Sequence, residues 1–171
     1  MDGLLLNLSR KLKFSLNGHS RVSLYVFDES SRAFIPCGRF SHNPKYREKG
    51  RTKFHIDQGC IGEAWQRDWA FDDQIPADVT AAVEYHKEKY GIPKASGICA
   101  RMHVRVIAAK KILDNNSLPV GVIVVESDKE GSFTEEELKD ALSEVADDYG
   151  RIVRGLQPYI PDPSDAAKRG L

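Results

Sequence analysis

Residues 118–128, LPVGVIVVESD, limit what this chain can fold into more than any other stretch. Apolar side chains stand at consecutive positions, so a strand built from them would be hydrophobic on both faces. Such a strand is stable only inside a sheet that other elements cover on both sides. The stretch therefore predicts a central strand, with Gly121 opening its apolar part, in a domain of three layers.

Both ends of the chain predict amphipathic helices. Residues 2–16 carry leucines at helical spacing, namely Leu5, Leu8, Leu12 and Leu16, and an Asn-Gly turn signal follows. After the central strand, Thr134 and Glu137 have the T-x-x-E spacing of a capping box. The helix that they open has a long apolar stripe, formed by Leu138, Ala141, Leu142, Val145, Tyr149, Ile152 and Val153.

Alternating patterns predict the other strands, at residues 21–29, 30–41, 54–56 and 100–113. In the first, Val22, Leu24 and Val26 share one face, and Ser23, Tyr25 and Phe27 share the other. In the last, Met102, Val104 and Val106 lie opposite Arg101, His103 and Arg105. Strands that follow one another through short turns pair in antiparallel fashion, so we predict an antiparallel sheet.

Two short helices are predicted in the middle of the chain, at residues 58–68 and 78–90, with loops at 42–53 and 70–78. Trp65 and Trp69 are four residues apart, which would place both on one face of the first helix. The second helix has Asp78 as its N-cap and ends at Gly91. One of its faces carries Val79, Ala82, Val83, His86 and Tyr90.

Charge and composition exclude several classes of function. Lys+Arg and Asp+Glu both number 25, so a zero net charge gives no general attraction for nucleic acid. No apolar run is long enough to insert in a bilayer, and the opening MDGLLLNL lacks the basic start of a signal peptide. Three widely spaced cysteines favour a reducing compartment over a disulfide framework, so we predict a cytoplasmic location.

Several motifs, in this order, resemble those of a GAF domain, the small-molecule-sensing relative of the PAS fold. RVSLYVFDE resembles the first sheet strand, and DQGCIGEAW resembles the glycine turn before a short helix, with Gly59 and Gly62 as its glycines. AFDDQIP is similar to the following stretch, where an aspartate often stands. ICARMHVRVIAA with PVGVIVVES resembles the last hairpin, and FTEEEL resembles the start of the final helix.

The resemblance covers residues 4–156 and implies an α+β, GAF-like three-layer domain. Its central antiparallel sheet would have about six strands, with the terminal helices on one face and the short helices on the other. We divide the chain into an N-terminal amphipathic helix (1–17), a domain core with the C-terminal helix (18–157) and a tail (158–171). The family does not identify a ligand, because GAF domains bind cyclic nucleotides, bilins, haem, amino acids or nothing known.

Cys60 raises the question of thiol chemistry, since free methionine sulfoxide reductases are GAF enzymes that use cysteines near this turn. A cysteine at a helix N-terminus is favoured as thiolate. However, a redox pair needs two sulfur atoms close together, whereas Cys37 and Cys99 lie on other predicted segments. We therefore predict that Cys60 is a buried packing residue, and keep a thiol reductase as the enzyme alternative.

Other bound groups are less well supported. Cys37-x4-His42 and His55-x4-Cys60 have a symmetric spacing that is unusual for zinc, so we predict no metal site. No Cys-His pair is present for a covalent bilin, and FDE at 27–29 only partly matches the cyclic-nucleotide signature of the family. His86 on its helix face could ligate haem, but an interior histidine is the commoner outcome. No cofactor is identified.

A ligand site is predicted between the sheet and the middle helices, over residues 59–90. Its proposed residues are Ile61, Glu63, Trp65, Arg101, His103 and Arg105. The last three would form a cationic patch for a carboxylate or phosphate if their strand face lines the cavity, and would be exposed if it faces an edge. The basic residues of 45–53 are predicted to be a solvated loop.

These predictions describe a non-catalytic sensory or regulatory module that binds an unidentified small ligand and signals through its terminal helices. The N-terminal leucine stripe is hard to bury in a small monomer, so a homodimer through residues 4–16 and 138–153 is expected. Because no effector domain is present in 171 residues, we expect the chain to be part of a larger signalling protein. A structural interaction module without a ligand is the remaining alternative.

Overall fold

The computed structural model describes residues 2–14, 18–48, 53–92 and 102–156, and all structural statements below concern these residues. They form the helices α1 (Asp2–Lys11), α2 (Pro44–Arg47), α3 (Gly59–Arg67), α4 (Val79–Tyr90) and α5 (Glu135–Leu156). They also form the strands β1 (Ser20–Asp28), β2 (Ala33–Ser41), β3 (Phe54–His55), β4 (Trp69–Asp72), β5 (Val106–Leu113) and β6 (Pro119–Ser127).

The strands make one six-stranded sheet in the order β3-β2-β1-β6-β5-β4, and every pair is antiparallel. The apolar stretch that predicted a central strand forms β6, which lies between β1 and β5. All of its residues after Pro119 are buried, because helices cover both of its faces. The predicted central strand and antiparallel sheet are confirmed.

The terminal helices cover one face of the sheet. Leu5, Leu8 and Leu12 are 0%, 2% and 8% exposed, and they pack in one cluster with residues of β1, β6 and α5. A single chain therefore buries Leu5, Leu8 and Leu12 of the N-terminal leucine stripe without a partner, while Leu16 lies outside the described residues. The capping box is also present, since Glu137 accepts from the backbone N–H of Thr134 while Thr134 Oγ1 accepts from that of Glu137.

The short helices cover the other face. Tyr25 of β1 and Phe34 of β2 pack there against Cys60 and Ile61 of α3, and against Tyr90 at the end of α4. The predicted division of helices between the two faces is thus confirmed. Gly62 allows α3 to lie on the turn before it, because a Cβ atom at this position would be 2.8 Å from the carbonyl oxygen of Ile56.

Four local predictions are wrong. Residues 69–72 form the edge strand β4, although 70–72 were predicted as part of a loop. Helix α3 ends at Arg67, and Asp68 turns the chain with a φ of 74°. Trp69 therefore belongs to β4 and does not share a helix face with Trp65. Residues 44–47 form the short helix α2, which an N-terminal proline favours. Residues 102–105 precede β5 instead of belonging to it. Val79 is 52% exposed, so it is not on the buried face of α4.

No helix among the described residues is both long enough and apolar enough to cross a membrane. Several groups of residues lie outside the described ones, among them 15–17, part of the predicted basic loop (49–52), the segment 93–101 and the predicted tail beyond Leu156.

Candidate ligand site

A row of polar side chains crosses one end of the sheet, on the face that α3 and α4 cover. In the strand register Arg21 of β1 lies beside Glu126 of β6, and Ile107 of β5 lies between Glu126 and Asp72 of β4. Residues directly opposite one another in antiparallel strands point to the same face of the sheet. The register therefore brings an arginine and two acids, distant in sequence, into one line that we call the polar row (Arg21, Glu126 and Asp72).

Arg21 and Glu126 form a bidentate ion pair inside this row. The Nε and Nη2 atoms of Arg21 each donate to a different carboxylate oxygen of Glu126, both over 2.7 Å. The two side chains are only 12% and 11% exposed. Burial by itself raises the pKa of Glu126, but the charge and hydrogen bonds of Arg21 outweigh burial and lower it overall. Glu126 is therefore a carboxylate at neutral pH.

Asp72 is the other acid of the row, and its side chain is fully buried. Tyr90 donates its hydroxyl hydrogen to Asp72 Oδ2 over 2.6 Å, and Tyr85 donates to Oδ1 over 3.0 Å. The backbone N–H of Gln74 and the ammonium of Lys89 complete its surroundings, each at 3.0 Å. Burial raises the pKa of Asp72, but these hydrogen bonds lower it overall, so Asp72 also carries a negative charge.

His86 lies in the same region, in the second half of α4, and is only 6% exposed. Its ring stacks on that of Tyr90 at 5.7 Å and meets the ring of Tyr85 nearly at right angles at 6.1 Å. The Nδ1 atom is buried and has no hydrogen-bond partner among the described residues. Burial is the main cause that lowers the pKa of His86, against the opposing effect of Asp72 and Glu126. The neutral imidazole is thus the favoured form.

Helix α3 supplies an apolar wall to this face. Ile61 is buried, and the half-buried Trp65 packs on the rings of Phe27 at 4.6 Å and Phe34 at 5.2 Å. Glu63 points toward the helix surface, where it pairs with Arg67 over 2.8 Å. Of the three predicted ligand residues of α3, Ile61 and Trp65 therefore line the face between sheet and helices, whereas Glu63 lies at its margin.

The predicted cationic patch is occupied by the protein's own backbone. His103 Nε2 donates to the carbonyl oxygen of Pro76 at 3.0 Å, and Arg105 Nε donates to that of Ile75 at 2.8 Å. Arg105 also pairs with Glu130 at 2.6 Å. Both side chains thus hold the loop between β4 and α4, whose Ile75 also packs with the buried Met102 and Val104. Arg101 lies outside the described residues.

Neither described cysteine is prepared for nucleophilic chemistry. Cys60 is 3% exposed, and burial raises the pKa of its thiol well above the ordinary value. Burial also raises the pKa of Cys37 to about 12, and its Sγ atom contacts the carbonyl oxygen of Leu24 at 3.5 Å. Within the described residues no three His, Cys, Asp or Glu side chains are grouped to hold a metal ion. Cys99 lies outside the described residues.

Sequence reasoning did not identify Arg21, Glu126, Asp72, Tyr85 or Tyr90 as site residues. Glu126 carried the clearest available signal, since it is the one acid within the apolar run of β6. Asp72 had a weaker signal, the aspartate of AFDDQIP, because the strand that holds it was predicted as a loop. The line that these residues form depends on register between four strands, which no local pattern reveals.

No family model matches the chain, and no curated protein does either. Solved structures do match. The GAF domain of an Acinetobacter phosphoenolpyruvate-protein phosphotransferase has a TM-score of 0.64 at 14% identity, over 94% of this chain and 83% of that one. A type II free methionine-R-sulfoxide reductase from Thermoplasma acidophilum has a TM-score of 0.62 at 17% identity, over 91% of this chain and 89% of that one. The GAF domain of a Bacillus halodurans two-component sensor histidine kinase has a TM-score of 0.58 at 16% identity, over 92% of this chain and 95% of that one.

Proposed function

We propose that this chain, which has a GAF-like fold, is a non-catalytic sensory or regulatory module that binds a small ligand between its sheet and helices α3 and α4. The observation that carries the proposal is the polar row, which lies on the same face of the sheet as the wall formed by Ile61 and Trp65. Small-molecule sites typically combine an apolar lining with a few fixed polar groups. This face of the sheet holds both parts, with Trp65 packed on Phe27, six residues along β1 from Arg21.

Stability alone is a poor reason for the polar row. Replacing a buried ion pair by apolar side chains of similar volume is often neutral or stabilising by about 1–4 kcal/mol. A contribution to stability therefore does not by itself explain the buried pair of Arg21 and Glu126. A binding role gives these groups a purpose, because fixed charges and hydroxyls select a ligand by its polar atoms.

A signal could leave the site through β6. Glu126 points to the ligand face, while its neighbour Val125 packs in the cluster that holds α1 and α5. A ligand that displaces β6 would therefore alter the packing of both terminal helices, and its differential affinity for the two arrangements would be the signal. A larger signalling protein that receives this signal, and a cytoplasmic location, remain parts of the proposal.

The thiol enzyme is the second candidate, because the similar structures include free methionine-R-sulfoxide reductases. Reduction of a sulfoxide by thiols needs a thiolate to attack, and the raised pKa values of Cys60 and Cys37 oppose this step. These two residues support the non-catalytic proposal.

Free methionine-R-sulfoxide with dithiothreitol as reductant distinguishes the two candidates. We expect the full chain to form no methionine beyond a protein-free control, as measured by liquid chromatography. The matched variants are Cys60→Ala and Cys99→Ala. If the wild type forms methionine and either variant does not, the sensory proposal is wrong and the thiol enzyme takes its place.

A further inference from the structure

His86 lies on the buried face of α4, at a position where a charge would be hard to accommodate. The residue is only 6% exposed, and its Nδ1 atom has no hydrogen-bond partner among the described residues. Tyr85 and Tyr90, which enclose its ring, are the same residues that donate to Asp72. Displacing His86 would therefore move the two hydroxyls that hold Asp72.

Charged and titratable groups face His86 from each element around it. Asp72 comes from β4, Glu126 from β6 and His103 from the segment before β5, while Lys89, Tyr85 and Tyr90 come from α4 itself. The two acids favour a proton on His86, whereas His103 and Lys89 oppose one. Both carboxylates already accept hydrogen bonds, Glu126 from Arg21 and Asp72 from Tyr85 and Tyr90, and neither is hydrogen-bonded to Nδ1.

We propose that His86 is a proton-sensitive latch: its neutral ring keeps α4 packed over Asp72, and protonation in acid releases the helix. When α4 opens, water reaches His86 and solvates the imidazolium that the closed arrangement cannot pair. The open form thus binds a proton more readily than the closed form, and acid shifts the equilibrium toward the open form. This device acts whether or not the chain binds a ligand, so it goes beyond the proposed function.

The direction of this pH dependence follows from the lowered pKa of His86 in the closed form. The closed form is fully favoured above the ordinary histidine pKa of about 6.5, and this advantage falls as the pH drops from there toward the lowered value. For a histidine with that ordinary value in the open form, the open population rises by at most about tenfold between pH 7.5 and 5.5.

Hydrogen–deuterium exchange of the full chain tests the latch. Exchange over residues 79–92 is measured at pH 7.5 and 5.5 and corrected for the intrinsic pH dependence of amide exchange. We expect protection of this segment to fall several-fold, up to about tenfold, in the wild type. In His86→Gln the fall is lost, whereas His55→Gln, at an exposed position on β3, keeps it. An equal fall in wild type and His86→Gln overturns the proposal.

Direct titration of the wild type keeps the test independent of whether His86→Gln folds. The chemical shift of the His86 ring is followed by NMR from pH 8 to 5. A midpoint below that of His55, together with broadening of α4 resonances as the ring titrates, supports the latch. A midpoint at or above that of His55, with α4 unchanged, overturns it.

Discussion

Glu126 and Arg21 form the ion pair on which the polar row depends most. Removing one member leaves the other charge buried and unpaired, which costs about 3–5 kcal/mol of unfolding free energy. We expect Glu126→Leu and Arg21→Met to destabilise the chain by this amount in urea unfolding. The double variant Arg21→Met/Glu126→Leu, which removes both charges, should lose much less. Additive losses in the double variant would contradict the pairing.

The same pair makes stability depend on acid. The pKa of Glu126 is lowered in the folded chain, so its stabilising contribution is complete above the unfolded value of about 4.5. The contribution is lost as the pH falls through the folded value. Urea unfolding between pH 7 and 3 should therefore show a smaller loss of stability in Glu126→Gln than in the wild type, and parallel curves would contradict this origin.

Tyr90 and Tyr149 offer a matched comparison of two buried hydroxyls. Tyr90 donates to Asp72, whereas the hydroxyl of Tyr149 has no partner among the described residues. Tyr90→Phe should cost about 1–3 kcal/mol because it withdraws a donor from a buried carboxylate. Tyr149→Phe should be neutral or slightly stabilising by the same thermal or urea measurement. Equal effects would show that the Asp72 contact contributes nothing specific.

Among the elements, α5 owes its position to a glycine. A Cβ atom on Gly150 would lie 1.9 Å from the carbonyl oxygen of Leu113, so the helix could not stay this close to the β5–β6 hairpin. Gly155 in the same helix has open space around its Cα atom.

We therefore expect Gly150→Ala to destabilise the chain by at least about 2 kcal/mol, as an overpacked core substitution does. Gly155→Ala should be neutral or stabilising by up to about 1 kcal/mol, because alanine has the higher helix propensity. Urea unfolding of both variants measures the difference. Similar stability for the two would mean that α5 does not pack on the hairpin as described.

Elements with a long, regular pattern were predictable from sequence, and short or irregular ones were not. The stripes of α1 and α5 and the two-sided apolar run of β6 each repeat over enough residues to determine both element and face. The edge strand β4 has four residues, too few for an alternation to be recognised. The pattern of 102–105 alternates like a strand, yet its polar side chains bind the β4–α4 loop and pairing starts only at Val106.

At the scale of the whole molecule, the three layers followed from sequence but the site did not. One strand that is hydrophobic on both faces, together with helices at both ends, determined the layers. The predicted site residues Ile61 and Trp65 lie on the face between the sheet and helices α3 and α4, because α3 has a clear apolar side. The polar row depends on how four strands align, and alignment is a property of the complete sheet.

The proposed homodimer through residues 4–16 and 138–153 would involve charged surfaces of the described residues. Leu5 and Leu8 of α1 are buried within the chain, Leu4 and Leu6 are half-buried, and the exposed side chains around them include Arg10 and Lys11. The exposed positions of α5 are mostly acidic, and Lys11 already pairs with Glu144. An association between such surfaces would be electrostatic, and salt weakens it.

Sedimentation velocity over a range of protein concentrations, in about 0.05 and 1 M NaCl, tests this association. The Debye screening length shortens from about 14 Å to about 3 Å between these two conditions. We therefore expect a dimer at low salt that dissociates at high salt. A chain that stays monomeric at every concentration in low salt would contradict the dimer. A dimer that is equally stable in high salt would contradict its charged interface.

Native mass spectrometry of the freshly purified chain is the most direct test of the central proposal, that the face between the sheet and α3/α4 holds a small ligand. We expect part of the wild-type chain to carry an added small-molecule mass that denaturation removes. Tyr149→Phe should keep this mass, and Tyr90→Phe, which disturbs Asp72, should lose it. A bare polypeptide mass for both the wild type and Tyr149→Phe would contradict the account.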